Sequence, residues 1–182
     1  MSRDAGEGSR VTAVDDRAPA DFAGFYAAGY ARLAAQLYAY LGDATEAEDV
    51  AQEAYLRAWR LWASISRYDD PVGWVRRVAW NLATSRLRRL VTVARFVARQ
   101  PSPESAAVQA LGPDRVALVA ALRQLPERQR RALVLHYLAD LSVAEVAAEL
   151  MVARGTVLSW LHRGRNRLAE LLGPDYSEGD AA

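Results

Sequence analysis

A run of basic side chains with no acid among them lies near the C-terminal end of the chain, between Arg154 and Arg167. Guanidinium groups suit phosphates and guanine edges, so the chemistry that this run favours is nucleic-acid recognition. The run falls on the second of two short predicted helices that a tight turn joins within residues 141–167. Ser142 and Glu145 have the spacing of a capping box at the start of the first helix. The pattern is typical of a helix-turn-helix, whose second helix enters the DNA major groove.

The apolar positions predict which face of the second helix is buried. Val157 and Leu161 are four residues apart and would anchor this helix on the core. Ser159, His162 and Arg163 would then face solvent or DNA. The alternative is a solvated amphipathic helix pair within an ordinary helical bundle, because a short motif of this kind also occurs in proteins that bind no DNA.

Length and composition are consistent with one or two small domains that each bury a core. The chain has 182 residues, of which 52% are hydrophobic and 25% charged, and a net charge of only +1. Residues 41–56 hold five acids and no base, whereas residues 71–100 hold seven arginines and no acid. All the basic residues are arginine. The basic segment has the charge pattern expected of a surface that binds nucleic acid.

Several classes of protein are excluded by residues and motifs that the sequence lacks. Without cysteine there is no disulfide framework, zinc–thiolate site or cysteine nucleophile, and with only two histidines we expect no metal site. There is no Walker motif and no nucleophile–base set, so we expect no enzyme and no cofactor. The N-terminus lacks an apolar signal region, and no apolar run approaches the ~20 residues of a membrane span. We therefore expect a soluble, cytoplasmic protein without membrane insertion.

The apolar periodicity predicts an all-α chain of two small helical domains joined by a flexible linker, the C-terminal one containing the helix-turn-helix. The domains cover residues 20–92 and 114–173, and the proline-containing linker covers residues 93–113. Residues 1–19 form a predicted disordered tail and residues 174–182 a polar one. The predicted helices before the helix-turn-helix cover about residues 21–41, 45–65, 71–90, 114–124 and 126–138.

Local signals indicate where the first helices begin and end. Gly42 ends the first helix, and Thr45 with Glu48 has the spacing of a second capping box. Pro71 suits the first turn of the third helix. The residues predicted to face inward are Val50, Ala54, Ala58, Leu61 and Ile65 in the second helix and Trp74, Val78 and Leu82 in the third.

The third helix also presents arginines, an amide and an aromatic ring outside its apolar stripe. Arg76, Arg77, Asn81 and Arg88 could contact phosphates, and the ring of Trp80 could stack on bases. The alternative is a solvated basic face, with Trp80 half-buried against a neighbouring element. The sequence alone leaves both interpretations open.

Two sets of residues carry a resemblance to a known family. The first resembles region 2 of bacterial sigma factors and consists of Asp49 to Glu53, Tyr55, Arg57, Ala58, Trp59, Trp74 to Val78, Asn81, Leu82, Arg88 and Arg89. The second resembles region 4 and consists of Leu125 to Arg130, Leu141, Ser142, Glu145, Val146, Ala147 and Gly155 to Val157. The short chain with its direct linker is similar to the extracytoplasmic-function (ECF) group, which lacks the large middle domain. The resemblance covers about residues 20–172.

The resemblance implies a function and two protein contacts. It implies an alternative sigma factor that binds core RNA polymerase, directs it to specific promoters and helps to melt the −10 region. Asp49, Gln52 and Glu53 correspond to the face that docks on the clamp coiled coil of the polymerase, and region 4 would contact the flap. The acidic charge of this segment fits the basic partner surface of the family.

The resemblance also assigns residues to promoter DNA. The helix of residues 71–89 corresponds to the reader of the −10 element, and the loop of residues 66–70 to the one that captures a flipped base. The second helix of region 4 would read the −35 element. The −10 residues are Arg67, Tyr68, Asp69, Arg76, Arg77, Trp80, Asn81, Thr84, Ser85 and Arg88. The −35 residues are Arg130, Arg154, Thr156, Ser159, His162, Arg163 and Arg165.

Several positions depart from the family pattern. Ala153 stands where a small hydroxyl residue usually caps the recognition helix, and Leu158 and Trp160 stand where basic residues are frequent. Ser85 stands where an acid is common. Met151 replaces the usual glycine of the turn, where a left-handed backbone conformation is needed. Because of these departures, the sequence does not decide whether this chain makes the usual −35 contacts. The ring of Trp160 could pack on thymine methyls, or it could be buried or face the linker.

Two other functions remain open from the sequence. One is an independent helix-turn-helix regulator that binds DNA without polymerase, and the acidic face of region 2 argues against it. The other is a sigma-like protein that sequesters polymerase without reading promoters. In the ECF group an anti-sigma factor often covers regions 2 and 4, and the sequence leaves open whether this chain has one.

Overall fold

The computed structural model describes residues 20–94 and 113–173, and every regular element in these two ranges is helical. This confirms the predicted all-α class. The helices are α1 (Ala20–Leu41), α2 (Ala44–Arg60), α3 (Trp62–Ile65), α4 (Pro71–Ala94), α5 (Pro113–Arg123), α6 (Glu127–Leu133), α7 (Val143–Leu150) and α8 (Arg154–Leu172). The predicted tails and all but the ends of the predicted linker lie outside the described residues.

The junction between α1 and α2 matches the prediction at its first residue and departs from it at the next. Gly42 has a φ of +72° and its N–H donates to the carbonyl of Tyr38 at 2.7 Å, so it ends α1 as expected. The cap of α2 is Asp43, whose carboxylate accepts from the backbone N–H of Glu46 at 3.1 Å. The predicted capping box of Thr45 and Glu48 is therefore wrong, because the helix begins earlier and Thr45 lies inside it.

The predicted second helix is broken at Leu61. Leu61 has a φ of −113° and separates α2 from the single turn of α3. It is 53% exposed, so its predicted inward orientation is wrong. The break turns Trp62 into the core instead, where its ring meets Phe22 edge-on at 5.2 Å between centroids. Its Nε1 donates to Asp21 at 2.8 Å, which satisfies the indole N–H.

The inner face of α4 lies beside the predicted stripe. Val75, Ala79 and Ala83 are buried, whereas the predicted Trp74, Val78 and Leu82 are only partly buried against the same core. The rotation follows from the neighbours of α4, because α1 and α2 pack on one of its sides and side chains of the C-terminal half reach another.

The helix-turn-helix has the predicted capping box. The hydroxyl of Ser142 accepts from the N–H of Glu145 at 3.3 Å, and the carboxylate of Glu145 accepts from the N–H of Ser142 at 2.8 Å. Met151 at the turn has a φ of +53°, so a residue with a side chain adopts the left-handed conformation that glycine adopts more readily. Ala153 occupies the N-cap position of α8 and makes no side-chain hydrogen bond.

We expect Ala153→Ser to raise the free energy of unfolding by about 1 kcal/mol, because a hydroxyl at this extended N-cap position can accept a hydrogen bond from the first turn of α8. Urea denaturation followed by circular dichroism measures the change. The matched control is Ala148→Ser on the exposed side of α7, which should lower stability slightly because serine favours the helix less than alanine does. Equal effects of the two substitutions would contradict the capping argument.

The two halves of the chain pack against each other, which the sequence did not predict. After α6 the chain makes a π-helical turn, Val134–Leu138, and α1 contacts both this turn and α5. Leu122 and Leu125 of the C-terminal half are buried in the same apolar cluster as Leu37 and Trp80 of the N-terminal half. The linker therefore joins two helical domains that share a buried contact.

Candidate nucleic-acid interface

The acidic face of α2 is exposed and is crossed by one arginine. The side chain of Asp49 is 56% exposed and that of Glu53 35%, with exposed Gln52 between them. Arg86 of α4 reaches across, with N–O distances of 3.0 Å to Glu46, 3.7 Å to Asp49 and 3.4 Å to Glu53. Burial alone would lower the pKa of Arg86, but the hydrogen bond to Glu46 and the three carboxylates raise it overall. No signal in the sequence predicted that Arg86 lies across the acidic face.

An open groove of about 640 Å³ lies beside the acidic face and adds apolar surface to it. Leu56, which is 44% exposed, and the rings of Tyr26 and Tyr55 line it. Burial chiefly raises the pKa of Tyr55 to about 12, with a smaller effect from Tyr26, so its hydroxyl stays protonated. The face thus combines a carboxylate rim with an aromatic and aliphatic wall. Leu56 could have been found from the sequence, since it is an outward apolar residue between Gln52 and Arg60.

The loop after α3 places three predicted residues in solvent. Arg67, Tyr68 and Asp69 are exposed, Tyr68 at 49%. The carboxylate of Asp70 accepts from the backbone N–H of Gly73 at 2.7 Å and so fixes the start of α4. The loop therefore presents an aromatic ring and a guanidinium at the entry to α4, as a site for an unstacked base requires.

The predicted −10 residues of α4 lie in two different environments. Asn81, Ser85 and Arg88 are exposed. Arg76 is mostly buried, with 16% of its side chain exposed and its guanidinium 3.9 Å from Asp70. Thr84 accepts a hydrogen bond from Arg131 of α6 at 3.4 Å, so it faces the C-terminal half.

Trp80 does not present its ring to solvent. It is 0% exposed, its ring lies 4.7 Å from that of Tyr40, and the guanidinium of Arg131 sits 5.4 Å from its centroid. In this arrangement of the chain the ring is therefore not available to stack on bases, and the assignment of Trp80 to the −10 element stays a prediction. The structure shows the alternative, burial against a neighbouring element. The ring is fully buried, not half-buried as the alternative had it. The physical reason is that α6 covers the ring.

Most of the predicted −35 residues line the outer face of α8. Arg154, Ser159, His162, Arg163 and Arg165 are exposed, and Thr156 is half-buried. The Nε of Arg163 donates to the carbonyl of Ser159 at 3.2 Å, and His162 pairs with Asn166 at 3.3 Å. These local contacts hold polar groups along one side of the helix.

The two atypical positions of α8 differ in exposure. Leu158 is 55% exposed and lies on the outer face. Trp160 is half-buried and packs against the core, so its contact with thymine methyls is not supported and burial is the correct alternative.

Arg130 is separated from the other −35 residues. It is only 7% exposed and its guanidinium lies 5.2 Å from the ring centroid of Tyr40. Burial lowers the pKa of Arg130, while the charges of Tyr40 and Glu127 act in the opposite direction. The N-terminal half covers Arg130 in this arrangement, and its assignment to the −35 element stays a prediction.

Two further findings concern residues 20–94 and 113–173 only. These residues contain no group of three or more histidine, cysteine, aspartate or glutamate side chains that could hold a metal ion. None of their helices is long and apolar enough to cross a membrane.

Comparison with known proteins gives the class of protein. The family model for Sigma-70 region 2 matches residues 25–92, and that for Sigma-70, region 4 matches residues 115–168. The ECF RNA polymerase sigma factor SigW of Bacillus subtilis is 32% identical over 155 residues, which span 74% of this chain and 80% of that protein. The chain therefore belongs to the ECF sigma factors with regions 2 and 4. Members of this family direct transcription initiation and are not enzymes.

Two other proteins are similar over most of the chain. The ECF RNA polymerase sigma factor SigE of Mycolicibacterium smegmatis is 35% identical over 153 residues, which span 78% of this chain and 57% of that protein. The sigma factor RpoE of Bartonella quintana, whose structure was solved in complex with the anti-sigma factor NepR, is 27% identical with a TM-score of 0.68. That likeness covers 85% of this chain and 98% of RpoE.

Proposed function

We propose that this chain is an alternative sigma factor that binds core RNA polymerase, directs it to specific promoters and helps to melt the −10 region. The observation that carries the proposal is that both family regions occur in order, each with its own exposed charged face. Region 2 carries the acidic face and groove on α2, and region 4 carries the basic outer face of α8. The two faces are of opposite charge, as a protein that joins an enzyme to DNA requires.

The docking of core polymerase is assigned to the face of Asp49, Gln52 and Glu53. Carboxylates at the rim would steer a basic partner surface, and the groove beside Leu56 would bury its apolar side chains. A clamp coiled coil offers such a helical, basic surface. Region 4 would contact the flap in the same complex.

Promoter melting by this chain would need no ATP. Opening a duplex takes bases out of their stack at a few kcal/mol each, and a protein that binds the opened strand better than the duplex shifts the equilibrium. The exposed loop residues Arg67 and Tyr68 together with Asn81 and Arg88 of α4 are the groups proposed to hold that strand. The exposed Arg77 and Ser85 and the partly buried Arg76 and Thr84 would complete this surface.

Recognition of the −35 element is assigned to the outer face of α8. Arg163→Ala should weaken promoter binding by the holoenzyme by about 1–3 kcal/mol if the guanidinium reads a guanine edge. Filter binding on promoters that carry single changes in the −35 element measures it. A loss that is nearly equal on every sequence would instead indicate a phosphate contact. No loss on any promoter would remove Arg163 from the site, and Arg167→Ala at the far end of the basic run is the matched control.

An anti-sigma factor is a further proposed partner. The support is the similarity to RpoE, which was solved with the anti-sigma factor NepR bound. Co-purification of this chain with the product of a neighbouring gene, followed by loss of run-off transcription when that product is added, would test the assignment. Unchanged transcription at saturating concentration would contradict it.

The alternative function, an independent helix-turn-helix regulator that binds DNA without polymerase, can be tested separately. A gel-shift experiment on promoter DNA with the chain alone, core polymerase alone and both together separates the two. A sigma factor should give a stable shift only when both proteins are present. That shift should persist when unrelated competitor DNA is added. Tight specific binding by the chain alone would favour the regulator.

A further inference from the structure

Leu158 is an exposed leucine on the helix that is proposed to read the −35 element. It lies in the second turn of α8 and is 55% exposed. Nearby apolar side chains of the same helix point elsewhere, because Val157 and Leu161 are buried and Trp160 packs against the core. Within α8, all of which the structure describes, Leu158 is therefore the one large apolar side chain that is exposed.

The neighbours of Leu158 on the outer face of α8 are polar or basic. Residues four apart on a helix are neighbours along one row, so exposed Arg154 and His162 flank Leu158. Exposed Ser159 follows it, and no acid occurs between Arg154 and Arg167. Arginines along such a face can contact the phosphates that border a major groove. Leu158 would then face the base pairs, among the phosphate contacts.

The position of Leu158 along α8 suits a close contact with a base. The N-terminal residues of a recognition helix are the ones that contact base edges. Leucine side chains on a helix lean toward its N-terminus, which for Leu158 is the direction of Gly155. Gly155 has no side chain, and nothing beyond its own helix and its sequence neighbours lies within 4 Å of the place that a Cβ would take. A base edge can therefore approach the helix beside Leu158.

A leucine in the major groove selects one base by its chemistry. Thymine alone among the four bases offers an apolar group there, its C5 methyl. Cytosine presents an amino donor and the purines present N7 acceptors, and a leucine can pair with neither. Covering a polar group without a partner is unfavourable, whereas burying a methyl group against a leucine is favourable. Leu158 thus favours thymine and disfavours the other three bases, while an arginine at this position would favour guanine.

We propose that Leu158 is a specificity-determining residue of the −35 reader, which selects one T·A base pair through the methyl group of the thymine. This rests on the proposed function, because it needs α8 in the major groove of a −35 element. The polar and basic side chains of the outer face hold the helix on the DNA and read other base pairs. Trp160, the other apolar candidate for this contact, packs against the core and leaves the contact to Leu158.

Selection from a promoter library identifies the base pair that Leu158 reads. Run-off transcription with core polymerase supplies one promoter, whose −35 region is then randomised and selected for binding to the holoenzyme. Holoenzyme with the unchanged chain should select a T·A pair at one position. Holoenzyme with Leu158→Arg should select G·C at that position and keep its preferences elsewhere. The same preferences for both chains at every position would overturn the proposal.

Replacement of the selected thymine by uracil removes only the methyl group and so tests the contact itself. Holoenzyme with the unchanged chain should bind the uracil promoter about fourfold more weakly, as the loss of one buried methyl group predicts. With Leu158→Ala the thymine and uracil promoters should bind equally. Filter binding at one salt concentration measures all of these affinities. No effect of uracil on the unchanged chain, or the same effect on Leu158→Ala, would overturn the proposal.

Leu61→Ala is the matched control, because Leu61 is a leucine of nearly the same exposure, 53%, and lies between α2 and α3, outside α8. Holoenzyme with this variant should keep the roughly fourfold preference for thymine over uracil. A contact of Leu158 with a protein instead of DNA has a different signature. It would weaken the assembly of Leu158→Ala with core polymerase and leave the preference for thymine unchanged, and that result would overturn the proposal.

The outcomes separate the role of Leu158 from the function on which it rests. Specific transcripts together with a base preference that does not depend on Leu158 would overturn this role and leave the sigma factor function intact. Absence of specific transcripts with the unchanged chain would overturn the proposed function, and the role of Leu158 with it.

Discussion

Reversing both exposed acids of the docking face, Asp49→Arg with Glu53→Arg, is expected to abolish assembly with core RNA polymerase. The double variant replaces two carboxylates by cations on the face proposed to meet a basic surface, and like charges across an interface cost several kcal/mol. Arg86 would also lose two of its three partners. We expect the affinity for core polymerase to fall by at least about 100-fold, measured by fluorescence anisotropy of labelled chain.

Two controls make this result interpretable. Glu170→Arg on α8 reverses an exposed charge far from α2 and should leave polymerase affinity within about threefold. Leu56→Ala keeps all charges and removes the exposed apolar side chain of the groove, and it should weaken docking by a smaller amount. Unchanged assembly of the double variant, with intact helical circular dichroism, would exclude this face as the docking site.

Truncating the buried indole, Trp80→Ala, is expected to lower the free energy of unfolding by about 3–5 kcal/mol. The side chain is fully buried between Tyr40 and Arg131, so its removal leaves a cavity at the contact between the halves and loses both ring contacts. Guanidinium denaturation followed by circular dichroism measures the loss. Leu61→Ala is the control, since that side chain is 53% exposed and should change stability by less than about 0.5 kcal/mol.

A loss below about 1 kcal/mol for Trp80→Ala would show that the ring is not enclosed in solution. A base-stacking role for Trp80 would then return to consideration. The same variant therefore distinguishes the buried ring from the exposed one that a DNA contact requires.

Two signals that each involve residues close in sequence predicted helix boundaries correctly. Gly42 at the end of α1 and the capping box of Ser142 and Glu145 both act through backbone groups close in sequence, so the residues that form them can be read directly. The capping box at Thr45 was wrong for an equally local reason. Asp43 precedes it, satisfies the same helix start and places Thr45 inside the helix.

The candidate site was predicted less well, because its burial depends on contacts between distant segments. Trp80 and Arg130 carry polar or aromatic groups suited to DNA, and nothing beside them in the sequence shows that each meets the other half of the chain. Arg86 likewise lies 33 residues from Glu53, so its ion pairs across α2 could not be read from the acidic segment. Periodicity identifies an apolar face of a helix but not the neighbour that covers its other faces.

Run-off transcription on genomic promoter fragments, with core RNA polymerase in the presence and absence of this chain, tests the central claim most directly. The sigma factor function predicts new transcripts with defined start sites only when the chain is present, and their upstream sequences would share −35 and −10 elements. The Asp49→Arg and Glu53→Arg variant should remove these transcripts. Association with core polymerase without any specific transcript would contradict the claim and indicate a protein that sequesters polymerase.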